Sequence, residues 1–434
     1  MTLETAKIYR GTEARKGDSL PWKTYVIAYF NQAAVMVMLF SNVPVLLKQA
    51  FGMDWLALTI TFLGAMAPVM LRPLLGHYAT KHPAHLNMML LGGFLLLFGG
   101  GILNAVAVEN TLLVIAGGIT TGLILTIGGA TLVNVAADTH ILRYTSKEKI
   151  SYVNSRRRLA AIFGMFVGQI CFYAIVGNRA GVLFAWWPFL LLTPIFAAGS
   201  IVLLWGFHQR WDPLPTGLLA IQVADHSQAS AVKAMPKTAA IINLTFIAAL
   251  AFVFMYNFPS GLVETPWENF LFENYGKDAF ATYVLFGLLF APLTMLGAWF
   301  AGRQHGEHPE RIFFLLAPIS AGFYFAMAAQ PAFALVIILV AGLSIFSGFS
   351  DVRMFEVMQS RSAGIRGPLK FQCLFATLEI GKYIGVALVA VAMPVFGYSG
   401  LFIVTGFVFL AQIGFVLLLL WTKIPPDQHP PLQV

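Results

Sequence analysis

Two opposite charges, Glu379 and Lys382, stand three residues apart in "CLFATLEIGKYIGVAL" (373–388), a stretch otherwise apolar or small. Counted along a helix from Lys370, they lie roughly 14 and 18 Å deep, near the middle of a hydrocarbon layer about 30 Å thick. A charge at that depth costs about 2.5 to 3.5 kcal/mol to insert, so such residues turn toward a bundle interior or a wet cavity. At spacing i,i+3 the two share a helix face and can pair. One reading is a structural pair that locks its helix to its neighbours, although desolvating an ion pair is often not recovered by its own attraction. The other is a site, with Glu379 holding a proton and Lys382 anchoring an anionic or carbonyl-bearing ligand. Gly381 and Gly385 add a small-residue step that lets another helix approach closely.

Other polar groups fall in apolar surroundings. Asn31, Gln32 and Asn257 are amides that serve either as glue between helices or as ligand contacts. Arg72 lies one turn from a span end, where the expectation is that it snorkels to the interface. Arg156, Arg157 and Arg158 form a run expected to sit among anionic headgroups. Glu264, Glu268, Glu273 and Asp278 crowd what reads as an acidic, solvated loop. All nine histidines fall at span ends, in loops or in the tail, so none is placed to ligate a pigment's magnesium in mid-membrane. His82-Pro83-Ala84-His85 lacks the further ligands that would specify zinc. No Gly-x-x-x-x-Gly-Lys-Ser/Thr loop points to an ATP-driven pump, and no nucleophile–base set points to an enzyme. Metal and catalytic residues are therefore expected to be none.

The elements that hold these residues are membrane spans. The 434 residues are 58% hydrophobic and 11% charged, and mean hydropathy is +0.77, outside the range of soluble domains. Runs of about 20 apolar residues predict spans at 24–47, 55–76, 86–107, 111–136, 157–177, 183–206, 239–259, 279–301, 311–329, 331–349, 369–393 and 398–421. The first twenty residues are polar, with no apolar core of a cleavable signal, so insertion is assigned to the first span. Of the 27 Lys and Arg, all but Lys48, Arg179, Lys277 and the intramembrane Lys382 lie at the termini, in even-numbered loops or at their helix ends. Both termini are thus expected in the cytoplasm, and the net charge of +8 expresses that asymmetry, not nucleic-acid binding. Cys171 and Cys373 fall within spans and read as small buried residues.

The chain divides into an N-terminal segment (1–23), a six-helix half (24–207), a central cytoplasmic loop (208–238), a second six-helix half (239–421) and a tail (422–434). The inner part of the central loop reads as a short surface helix of weak apolar pattern. Internal similarity links the halves. "GHYATKHP" from Gly76 matches "GRQHGEHP" from Gly302, and a later alignment pairs Asp138 with Asp351, Arg157 with Lys370 and Gly168 with Gly381. The fold class expected is an all-α polytopic membrane protein, twelve transmembrane helices in two six-helix pseudo-repeats, the major facilitator fold.

These features resemble the major facilitator superfamily over nearly the whole chain. Its loop motif is eroded here, with Thr80 where an acid would stand after Gly76, and only Gly302 and Arg311 to match it in the second half. Three stretches are similar to the bacteriochlorophyll delivery family, the PucC- and LhaA-like proteins. They are "FLGAMAPVMLRPLLGHYATKHP" through Arg72 and Gly76, "NVAADTHILRYTSKEK" through Asp138, and "GLVETPWENFLF" through Glu264, Pro266 and Trp267. Arg157, paired with Lys370 by the repeat, is counted among the same motif positions. The fold implied would place Asn31, Gln32 and Asn257 on a central cavity. The resemblance implies a non-enzymatic assembly factor or (bacterio)chlorophyll carrier for photosynthetic light-harvesting complexes. Its cargo would be (bacterio)chlorophyll or a carotenoid, not a covalent cofactor, and its partners the light-harvesting or reaction-centre polypeptides. The location implied is a bacterial inner or intracytoplasmic photosynthetic membrane. Two alternatives stand beside it: a proton-coupled transporter of a small organic solute, and a structural subunit of a photosynthetic complex.

Overall fold

A computed structural model of the chain describes residues 22–38, 46, 54–82, 85–110, 117–145, 149–177, 182–208, 244–304, 308–362 and 366–422. Residues 1–21, 209–243 and 423–434, which hold the expected N-terminal segment, the central loop with its surface helix and the tail, lie outside that set. In hydrocarbon every backbone polar group must be satisfied within the chain, so apolar runs of this length form helices. The first six are α1 (Trp22–Met36), α2 (Asp54–Lys81), α3 (Leu86–Glu109), α4 (Gly118–Tyr144), α5 (Ile150–Ile175) and α6 (Leu183–His208). The stretch Leu244–Ala301 breaks at Gly276, where φ is 83°, into α7 (244–275) and α8 (277–301). Then follow α9 (Phe313–Ala328) and α10 (Phe333–Arg361). Gly367–Trp421 breaks at Gly397, where φ is 59°, into α11 (367–396) and α12 (398–421). The described residues thus form twelve helical rods, as the sequence pattern predicts.

Several elements run further than their apolar stretches, α7 and α10 furthest. The segment expected as an acidic loop after residue 259 is helical backbone as far as Tyr275, despite Pro266. Trp267, Phe270 and Leu271 recur at helical spacing, and Phe270 and Leu271 are fully buried. Ring centroids of Phe270 and Phe402 lie 4.9 Å apart and those of Trp267 and Phe402 6.1 Å. That aromatic packing holds the segment as helix although its other positions are acidic. Likewise α10 passes its expected end at 349 and carries Arg353, Glu356, Gln359 and Arg361 as buried residues. Each meets polar partners there: Arg353 bonds Glu356 at 2.6 Å and Arg361 pairs with Glu310 at 3.1 Å.

One apolar core gathers buried residues from α1 to α6, from Ala28 to Ala197, and two others gather residues from α7 to α12. The halves repeat a packing device. A Cβ at Gly168 in α5 would strike the Ala34 carbonyl of α1, and one at Gly381 in α11 would strike the Phe254 carbonyl of α7. The pair matched in sequence is thus matched in contact. Outward-facing apolar side chains such as Met70, Val202, Ile338, Val391 and Val395 remain exposed, as a lipid-facing surface requires.

Candidate functional site

Where α1 begins and α6 ends, here the proximal end, five helices converge on Asp138. The residue is 1% exposed. A carboxylate offers about four lone-pair sites, and four groups meet this one. Tyr29 of α1 donates its hydroxyl to Oδ1. Arg157 of α5 brings Nη1 to 2.9 Å from the same oxygen. On Oδ2, Gln372 of α11 donates from Nε2 at 3.1 Å, and Arg72 of α2 approaches at 3.4 Å. Arg72 Nη1 also donates to Gln372 Oε1 at 3.0 Å. Both guanidinium planes lie on aromatic faces, Arg72 over Phe375 at 3.6 Å and Arg157 over Phe355 at 3.8 Å and Tyr29 at 4.4 Å. A desolvated cation–π contact contributes about 2 kcal/mol, which helps offset the cost of burying two cations.

Four of these elements belong to the first half and α11 to the second, so Gln372 joins the halves. Gly76 permits the approach. A Cβ there would lie 2.8 Å from Gln372 Cγ and 3.3 Å from the Pro368 carbonyl oxygen.

A second set lies alongside. Arg158 Nη2 of α5 reaches Asp351 Oδ2 of α10 at 2.5 Å, and Tyr256 of α7 donates to Asp351 Oδ1 at 2.9 Å. Each half therefore sets a first-helix tyrosine on a fourth-helix aspartate, as the pairing of Asp138 with Asp351 anticipated. The cation differs: Asp351 takes Arg158 from across the interface. Asn154 and Gln359 close the set, exchanging amide bonds at 2.6 and 3.2 Å between α5 and α10. Among the described residues, these polar bonds between the halves all fall at the proximal end.

The fold, as distinct from these side-chain contacts, has solved counterparts. No protein-family model matches the chain, and no curated protein matches it by sequence. Solved structures do. FucP, a major facilitator superfamily transporter in the outward conformation, aligns at TM-score 0.63 and 12% identity over 92% of this chain and 98% of that one. XylE, a proton:xylose symporter of the same superfamily, bound to 6-bromo-6-deoxy-D-glucose, aligns at TM-score 0.67 and 14% identity over 93% and 96%. The chain has the major facilitator fold. In a bundle of that fold, helices pack as two six-helix units, which is the division the cores and the paired glycines describe here.

The structure moves several sequence-predicted residues. Arg72, expected to snorkel, and Arg157, expected among headgroups, are both buried at 4% exposure on Asp138. Successive helical residues point about 100° apart, so three consecutive arginines cannot share one environment. Arg156 alone turns over the Tyr152 ring, at 5.1 Å. Asn31 donates to Ser200 Oγ of α6 at 2.8 Å with both residues buried, a tie between helices, and its Oδ1 has no partner among the described residues. Gln32 follows Tyr29 at i+3 on the same face and is half-buried. Asn257 donates to the Leu378 carbonyl of α11 at 3.2 Å. Glu379 and Lys382 continue the face of α11 that carries Gln372 and Phe375, at i, i+3, i+7 and i+10, and both are half-buried. Gly381 and Gly385 take a different face, against α7. The side chains of Glu264 and Pro266 lie outside the described residues; their backbone is helical within α7.

Sequence reading missed Tyr29, Gln372, Asn154 and Gln359. Tyr29 and Gln372 are lone polar residues near the end of an apolar run, Asn154 and Gln359 stand among other polar residues outside one, and nothing in the sequence says which distant residue completes any of them.

Proposed function

We propose that the chain is a secondary transporter of a small organic solute, in a state closed at its proximal end. The observation that carries this is the placement of the polar bonds between halves: Gln372 with Asp138, Arg158 with Asp351, and Asn154 with Gln359 all lie at one end. Two rigid halves tied by breakable contacts at one end can rock about a site between them. Glu379 is the proton site and Lys382 the solute contact, because both continue the face of α11 whose Gln372 and Phe375 meet the first half. The proximal end is taken as cytoplasmic from the distribution of Lys and Arg.

Proteoliposomes with an internal pH dye test the reading. Addition of monosaccharides, amino acids or carboxylates one at a time is expected to drive proton influx for one class, and Glu379→Gln to abolish it. Equal flux in that variant removes the proton site.

A second reading, delivery of (bacterio)chlorophyll to light-harvesting complexes, draws support from a specific observation. Arg72, Gly76, Asp138 and Arg157, the positions that carry the resemblance to the delivery family, form one contact network. Purification in mild detergent from a phototrophic host tests it; neither pigment nor antenna polypeptide in the preparation would dismiss it.

A further inference from the structure

We propose that the start of α11 is a binding site for a phosphate group, held by Lys370, Arg366 and the open end of the helix. The inference stands apart from the transporter reading and does not use the face of α11 that meets the first half.

The buried cations among the described residues are Arg72, Arg157, Arg353, Arg361 and Lys370. All but Lys370 meet an acid. Arg72 and Arg157 lie on Asp138, Arg353 on Glu356 and Arg361 on Glu310. Lys370, 5% exposed, has neither an acid nor a side-chain hydrogen bond among the described residues. Its counterpart in the repeat is Arg157, which has Asp138. The counterpart acid of the second half, Asp351, is taken by Arg158 at 2.5 Å and by Tyr256 at 2.9 Å. Burying a charge without a partner is costly, so an unpartnered ammonium at this depth calls for an anion.

The local backbone supplies the rest of the site. The Lys370 N–H donates to the Arg366 carbonyl at 3.0 Å, and residues four apart share a helix face. Helical side chains lean toward the N-terminus, which carries the Lys370 ammonium back over the first turn of α11, toward Arg366. That turn holds no acid and no side-chain cap, and Pro368 brings no N–H. The N–H groups of Gly367 and Leu369 have no acceptor within the helix, and the helix dipole adds positive potential at the same point. Two cations there repel each other and the dipole. One phosphate turns both effects into attraction, through backbone N–H groups and charge-assisted bonds. Lys370 precedes Gln372 by two residues, so it leaves the helix about 200° away from the face that reaches Asp138. The site is therefore separate from the Asp138 centre. It lies at the end of the span Gly367–Val389, within reach of lipid headgroups and of soluble phosphates.

The test uses the full chain in dodecyl maltoside free of lipid and phosphate, with phosphatidylglycerol or inorganic phosphate added separately. Native mass spectrometry reads lipid binding, and tryptophan fluorescence reads the melting temperature. K370Q and R366Q are expected to weaken binding of the first ligand about tenfold. K370R should keep it, and R156Q, which removes the arginine stacked on Tyr152, should leave it unchanged. Without ligand, K370Q should melt higher than the unmodified chain, because an unpaired buried charge is gone; with ligand the order should reverse. Stabilisation by phosphatidylglycerol alone identifies a lipid headgroup as the source, and stabilisation by inorganic phosphate as well identifies a site that soluble phosphates fill. If neither ligand stabilises the unmodified chain, if K370Q and R366Q bind as it does, or if K370Q melts lower under every condition, the site is wrong. The transporter reading stands in each case.

Discussion

Asp138 is the residue on which the proximal seal depends, because its two oxygens accept hydrogen bonds from α1, α2 and α11 and pair with the Arg157 charge of α5. Removing its charge leaves Arg72 and Arg157 buried against one neutral amide. Breaking a buried pair in this way costs about 3 to 5 kcal/mol. Asp138→Asn is therefore expected to lower the melting temperature in detergent markedly. Arg156→Gln, which removes the arginine stacked on Tyr152, should leave it nearly unchanged. Thermal unfolding followed by the intrinsic fluorescence of the nine tryptophans compares the two directly. At this scale the sequence marked the ingredients: Asp138 and Arg157 through the internal repeat, and Arg72 through the resemblance to the delivery family. It did not reveal their partners, and it sent the two arginines to the wrong surroundings.

Helix contacts depend on where a side chain is missing. Gly76 faces Gln372 and Pro368 of α11 at distances no Cβ can occupy without movement. Gly76→Leu should push α2 from α11 and weaken the seal, increasing maleimide labelling of a cysteine introduced at Gln372. Gly99 in α3 offers the opposite case, with nothing within 4 Å of an added Cβ. Gly99→Ala is expected to be neutral or to stabilise by up to about 1 kcal/mol through helix propensity, read as an equal or higher melting temperature. Element positions were largely legible, since twenty-residue apolar runs have one economical conformation in hydrocarbon. The extension of α7 past residue 259 was not, because acidic residues masked an aromatic stripe whose partners, Phe323 and Phe402, are distant in sequence.

For the whole molecule, the bonds between halves predict a single mode of motion, opening at the proximal end. Cysteines at Asn154 and Gln359, in a C171A/C373A background, should join through a short bis-maleimide, because their amides touch in the closed state. The linked protein is expected to lose solute-driven proton flux in liposomes and to regain it when a cleavable linker is cut. Flux that persists through the linkage would mean that the halves need not part there. The sequence by itself determined the membrane class, the twelve helices and the internal repeat, because hydrophobic periodicity and spacing act locally along the chain. It also marked Asp138 and Asp351 as counterparts. Only the tertiary structure decided that Asp138 gathers Tyr29, Arg72, Arg157 and Gln372, that Arg158 crosses to Asp351, and that Asn31 ties α1 to α6. Those choices depend on which helix faces meet across hundreds of residues, and ion-pair geometry of a few ångströms is fixed by that packing alone.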